Sequence, residues 1–130
     1  MARSGSERPT ELELEILKVL WNESPLPVRT VRDRLEELGR PLTHSSVITM
    51  LNIMVRKKYL RRKKEGKAFL FAPKIDRDRV AGGMVGDILA RIFDGSASAM
   101  VLRLLETADL DAEEMAELHR LISRKAKEQP

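Results

Sequence analysis

The chain has 130 residues, 42% apolar and 34% charged, with a formal net charge of +4, enough for one or two small domains around a modest core. Its lack of cysteine excludes a disulfide scaffold and a thiolate metal site and suits a reducing cytoplasm, the compartment expected here. No apolar run approaches the ~20 residues of a membrane span, and the opening MARSGSERPTELELE lacks the apolar stretch of a signal peptide, so membrane insertion is not expected.

Charge is unevenly placed. Residues 1–55 carry 7 basic and 8 acidic side chains, residues 56–79 carry 11 and 3, and residues 94–122 carry 2 and 7. A concentrated basic band is the footprint of a polyanion-binding surface, although a solvated face produces the same count. With aromatics at 4%, burial must come from aliphatic helix packing.

Thr10 and Glu13 form a capping box, in which each side chain satisfies the other's backbone donor. Leu12, Ile16, Leu17 and Leu20 then recur at helical spacing, and Trp21 closes the helix. Asn22 to Pro27 reads as a turn, with Pro27 placed to open a second helix. That helix carries the stripe Val28, Val31, Leu35 and Leu38, and Gly39 stops it. A third helix follows Pro41 with Thr43 as its cap. Val47, Met50, Leu51 and Met54 mark its inner face; Ser45, Thr49, Asn52 and Arg56 mark the outer one, with Ile48 beside them. A polar outer face is ordinary in an isolated helix. Here the helix is the second of a helix-turn-helix pair, the position that enters the DNA major groove with its N-terminal residues at the bases. Small hydroxyl and amide groups suit that position because they permit close approach and bond both base edges and phosphates.

Two strand-like runs, about 59–63 and 68–72, flank Lys64-Glu65-Gly66-Lys67, where Gly66 supplies the positive φ of a hairpin turn. Phe69 and Phe71 share one face and Leu70 takes the other. A hairpin of this size needs the helices for support. The order helix, helix, helix, basic hairpin predicts a winged helix whose wing meets phosphates through Arg62, Lys63, Lys64 and Lys67, with Arg56 at the helix end.

Pro73 ends the wing, and a charged linker follows. Val80, Met84, Val85, Ile88, Leu89, Ile92 and Phe93 give a broad apolar face. Gly82, Gly83 and Gly86 lie on the same helix, each costing ~1 kcal/mol against Ala, a cost explained by close helix approach or by a frayed, kinked start. After Asp94-Gly95, Ser96 or Ser98 caps a helix with Met100, Val101, Leu104 and Leu105. Asp111 and Glu114 open another, with Met115, Leu118, Leu121 and Ile122. Three short amphipathic helices make a thin layer. An isologous dimer would cover it, through Val85, Ile88, Leu89, Ile92, Phe93, Leu104, Leu105, Leu118, Leu121 and Ile122; an intramolecular bundle is the alternative. The expected organisation is therefore mainly α: a winged helix-turn-helix DNA-binding domain at 8–74, a helical dimerisation domain at 75–124 and a charged tail at 125–130.

Catalysis is not expected. His44 and His119 have no metal-ligand partner at i+3 or i+4, and Gly82-Gly-Met-Val-Gly86 lacks both a phosphate-loop Lys and a dinucleotide-binding spacing. No cofactor or metal is anticipated. Besides a DNA-binding repressor, the pattern admits a protein-interaction winged helix or a winged-helix regulator with a small-molecule pocket.

Glu13-Leu-Glu-Ile-Leu-Lys-Val-Leu-Trp21, Thr30-Val-Arg32, Ser45-Ser-Val-Ile-Thr-Met-Leu-Asn52 and Gly66-Lys-Ala-Phe-Leu-Phe71 resemble the penicillinase and methicillin-resistance repressors, the BlaI/MecI type. The resemblance runs from about Leu12 to Ile122, most specifically in its first half. It implies a winged-helix repressor, dimerised through C-terminal helices on a dyad-symmetric operator of double-stranded DNA. It also implies that Thr43, Ser45, Ser46 and Thr49 contact that DNA. Where the family often has an Arg-Leu pair, this chain has Ile53-Met54, so that arginine's contact does not transfer. Copper-responsive relatives carry C-terminal cysteine pairs, which are missing here. The resemblance further implies inactivation by proteolysis within the dimerisation region, triggered by a membrane-bound sensor protease. The matching segment is Val101–Leu105 and the matching bond Arg103–Leu104.

Overall fold

A computed structural model describes residues 8–129. Six helices and three short strands occur among them, in the order α1 (Glu11–Asn22), β1 (Leu26–Pro27), α2 (Val28–Glu37), α3 (His44–Arg56), β2 (Leu60–Glu65), β3 (Ala68–Pro73), α4 (Arg77–Arg91), α5 (Ala97–Thr107) and α6 (Ala112–Glu128). The chain divides into two compact units, Met1–Gly86 and Asp87–Pro130.

The first unit is the expected winged helix. The capping box at Thr10 forms in full: Thr10 Oγ1 accepts from the Glu13 amide at 3.2 Å and Glu13 Oε1 accepts from the Thr10 amide at 2.8 Å. α1 buries Ile16, Leu17 and Leu20 against Val31 and Leu35 of α2 and Val47, Leu51 and Met54 of α3. The hairpin closes this core with Leu60 and Phe71. Its turn is tighter than expected. Lys64 and Glu65 lie within β2, and only Gly66 and Lys67 turn, with φ +64° at Gly66; glycine at the first of two turn positions matches the II′ arrangement that follows strand twist.

Two features extend the sequence reading. Leu26 and Pro27, expected as turn, form β1 and pair antiparallel with Phe71 and Leu70, so the sheet order is β1-β3-β2. Proline fits there as an edge residue and also as the N-cap of α2. The core also reaches past the boundary drawn after residue 74: Ile75 and Val80 are buried, and Trp21 Nε1 donates to the Ile75 carbonyl at 3.0 Å. Surface arginines fasten the helices to one another. Arg34 meets Glu23 at 2.9 Å and Arg40 meets Glu15 at 2.8 Å. The hydrogen bond from Arg34 holds the Glu23 carboxyl below its ordinary value.

The second unit holds the end of α4, then α5 and α6. Ser96 caps α5 by accepting from the Ala99 amide at 3.2 Å, and Asp111 caps α6 by accepting from the Glu114 amide at 2.8 Å. Helix α6 runs to Glu128, so most of the expected tail from residue 125 is helical. No residue from 87 to 129 is buried.

Both α2 and α3 end in the same hydrogen-bonded cap. The Arg40 amide reaches the Leu35 carbonyl and the Tyr59 amide reaches the Met54 carbonyl, each at 2.9 Å, around a left-handed residue. That residue is Gly39 (φ +89°) after α2 but Lys58 (φ +69°) after α3, and a left-handed non-glycine residue costs ~1–2 kcal/mol. Replacing Lys58 with Gly should stabilise the chain by about 0.5–1 kcal/mol, and Gly39→Ala should destabilise it by about 1 kcal/mol. Urea denaturation of the two variants would check both signs.

Candidate nucleic-acid interface

Helix α3 is amphipathic by construction. Val47, Leu51 and Met54 are fully buried, while His44, Ser45, Ser46, Ile48 and Thr49 are exposed. Its first turn is held by Thr43, whose Oγ1 accepts from the Ser46 amide at 3.1 Å and donates to Ser46 Oγ at 2.9 Å. Thr43 and Ser46 are thus engaged with each other at the cap. The exposed face carries two rows: Ser45 and Thr49 border Leu12 and Leu42, whereas His44, Ile48 and Asn52 border the hairpin.

The alternation of β2 sorts the basic band. Arg62 pairs with Phe71 and Lys64 with Phe69, so these four share the face turned to the helices. Arg61 and Lys63, opposite Ala72 and Leu70, take the other face. Arg62 does not stand free. Its Nη1 donates to Asn52 Oδ1 at 2.7 Å, and its guanidinium lies 4.6 Å from the Phe69 ring centroid. Arg61 Nη1 donates to the Pro73 carbonyl at 3.2 Å. Arg56, Lys63, Lys64 and Lys67 are exposed, with no carboxylate partner among the described residues.

Between α3, the start of α2 and the hairpin lies a groove of about 560 Å³, with Pro27, Val28 and Phe71 among its apolar residues and Arg29, His44, Arg62 and Lys67 among its polar ones. Arg29 and Thr30 belong to this surface, although the sequence reading assigned neither to the interface and quoted Thr30 only in the family resemblance. β1, whose two residues show no periodicity, pairs with β3 and so leads the start of α2 beside the wing. No cluster of His, Cys, Asp or Glu suited to a metal ion occurs among the described residues. Nor is any helix among them long and apolar enough to cross a membrane.

A polar helix face beside a cationic hairpin can present hydroxyls and amides to base edges while lysines lie along phosphates. The fold and this surface define a winged-helix DNA-binding domain. The model of the penicillinase repressor family matches residues 9–124, and the chain belongs to that family. It is 32% identical over 115 residues to the penicillinase repressor of Bacillus licheniformis, covering 87% of this chain and 88% of that protein. To the transcriptional regulator BlaI of Mycobacterium tuberculosis it is 29% identical over 103 residues, covering 78% and 74%. A complex structure of RosR, a protein of H. salinarum, shares the fold with a TM-score of 0.53 at 19% identity over 98% of this chain and 97% of that one. The family is one of transcriptional repressors rather than enzymes, and its assignment sets aside a regulator from another winged-helix family.

Proposed function

We propose that this chain, a DNA-binding transcriptional repressor by family, acts in the cytoplasm as a homodimer on a dyad-symmetric operator and is relieved by proteolysis. The observation that carries the DNA reading is the exposed polar face of α3 flanked by wing lysines that no carboxylate among the described residues neutralises. Ser45 and Thr49 face bases, Thr43 and Ser46 set the helix start against the backbone, and Arg56, Lys63, Lys64 and Lys67 meet phosphates. Relief by cleavage is the route that the family resemblance implies, at the segment Val101–Leu105.

Dimerisation is supported by the second unit. Ile92 is 68% exposed and Ile122 is 62% exposed; Ile88, Leu104, Leu105 and Leu121 are also exposed, Leu89, Phe93 and Leu118 are only half-buried, and Val85, just before the unit begins, is exposed as well. Exposed apolar side chains in this number mark an interaction surface, and a second copy related by two-fold symmetry would cover it. The Arg103–Leu104 bond lies within α5, and Arg103 is paired with Glu106 at 3.3 Å. Cleavage by the sensor-protease pathway therefore requires local unwinding of that helix.

Replacing Lys63, Lys64 and Lys67 with Gln should weaken all duplexes alike and flatten the salt dependence by ~0.9 for each phosphate no longer neutralised. Ser45→Ala or Thr49→Ala should instead cost ~1–3 kcal/mol on the operator and little on random duplex. A salt-independent interaction, or equal affinity for every duplex, would point to a protein-interaction module. Ile92→Asp in the full chain should leave the first unit folded, yield monomers in sedimentation and weaken operator binding at least about tenfold through loss of the linked half-site. A chain ending at Arg103 should behave likewise; undiminished dimerisation and affinity would remove this route to induction.

A further inference from the structure

The wing is anchored at its base by Leu60 and Phe71 in the core, whereas residues 61–69 are all exposed. A two-stranded hairpin is marginal alone, and β1 pairs with β3 only at Leu70 and Phe71. Beyond Phe69 there is no third strand. Arg62 lies at this transition. Its planar guanidinium is fixed twice, by the Phe69 ring beneath one face and by Asn52 Oδ1 at one edge. Both partners matter to its assignment, because together they hold the guanidinium against α3, whereas a phosphate contact needs neither of them. Asn52 belongs to the third turn of α3, in the row with Ile48 and His44. Since arginine has only donors, this bond also fixes which end of the Asn52 amide faces the wing.

Building on the DNA-binding reading above, we propose that Arg62 is a positioning residue: a latch that sets the wing against the recognition helix and orients Asn52, not a phosphate contact. Lys63 on the opposite strand face, Lys64 toward the hairpin tip and Lys67 at the turn remain the wing's phosphate ligands. The latch distinguishes operator from random duplex because only the operator complex needs the helix and wing in register at once. Lysine cannot replace arginine in it, lacking the flat fork that stacks and bonds together.

The test uses the full-length chain and a duplex that the wild type selects from a random-sequence pool. Arg62→Lys, Arg62→Gln and Asn52→Ala should each weaken that duplex about fivefold, with an unchanged salt slope and unchanged affinity for random duplex. The Arg62→Gln/Asn52→Ala double variant should be no weaker than either single one, because the two residues act as a unit. Arg62→Lys that binds like the wild type, with Arg62→Gln flattening the slope by ~0.9, would make Arg62 a phosphate contact and overturn the proposal. So would full affinity in all variants. Backbone amide exchange at residues 65–68 of the free chain separates this from the function reading. If the wild type selects no duplex, the DNA reading fails on its own. Exchange at the turn then still decides the latch: acceleration in the Arg62 and Asn52 variants supports it, and unchanged rates refute it.

Discussion

The buried carboxylate of Glu13 is the interaction around which the winged helix is arranged. It is 1% exposed, a position at which an unpaired charge would cost several kcal/mol. Two partners hold it in place. One oxygen accepts from the Thr10 amide at the start of α1, and the other accepts from Lys57 Nζ at 2.6 Å. Lys57 is the C-cap of α3, so the carboxylate sits at the positive end of one helix dipole and its lysine at the negative end of another. Removing one partner would cost about 2–3 kcal/mol, discounted for the half-exposed ammonium. The pair also lies where α3 stops. The next residue, Lys58, takes the left-handed conformation that turns the chain into β2. The direction of the wing therefore begins at a carboxylate near the other end of the unit's sequence.

Charge outside that pair is divided by function. In the helical body, Glu15 and Glu23 are each bonded to an arginine. These exposed pairs contribute little to stability, but they hold the acidic groups on α1 and the following turn. The lysines of the wing have no such partners among the described residues, and the positive field there is left uncompensated. A net charge of +4 hides this arrangement. What steers a polyanion is the local surplus on one face, not the sum over the chain.

Much of this was legible in sequence because the governing signals are local. Thr10 with Glu13, Thr43, Gly39 and Gly66 each act within a few residues, and the structure places each where its local chemistry requires. Aliphatic periodicity likewise located the inner faces of α1, α2 and α3, except that Leu38, read as the last member of the α2 stripe, lies at the C-cap and is 69% exposed. What escaped was produced by tertiary contact. Leu26-Pro27 becomes a strand only because Phe71 and Leu70 are beside it. Ile75 joins the core because Trp21, 54 residues earlier, bonds its carbonyl. Arg62 looked like one member of a basic run, and period-2 geometry could have shown that it faces Phe71. Its bond to Asn52, however, depends on the packing of β2 against α3, which no local pattern encodes.

The second unit shows the opposite relation between pattern and packing. Its caps form as the sequence implies, yet not one residue from 87 to 129 is buried. Helices of this length are marginal in water, and most helical stability comes from burying an apolar face. Capping at Ser96 and Asp111 adds only about 1 kcal/mol each, too little to hold two helices ordered without such burial. Under the proposed homodimer, the missing burial comes from the second copy, and the order of these helices becomes a function of protein concentration. Operator occupancy then inherits that dependence, since two linked half-sites bind more tightly than one. A single cut in α5 would act on the same balance. It would leave the core around Glu13, with every buried residue of the first unit, intact, and it would remove α6 and its share of the apolar surface. Repression would end through loss of valency while each DNA-reading surface remained folded.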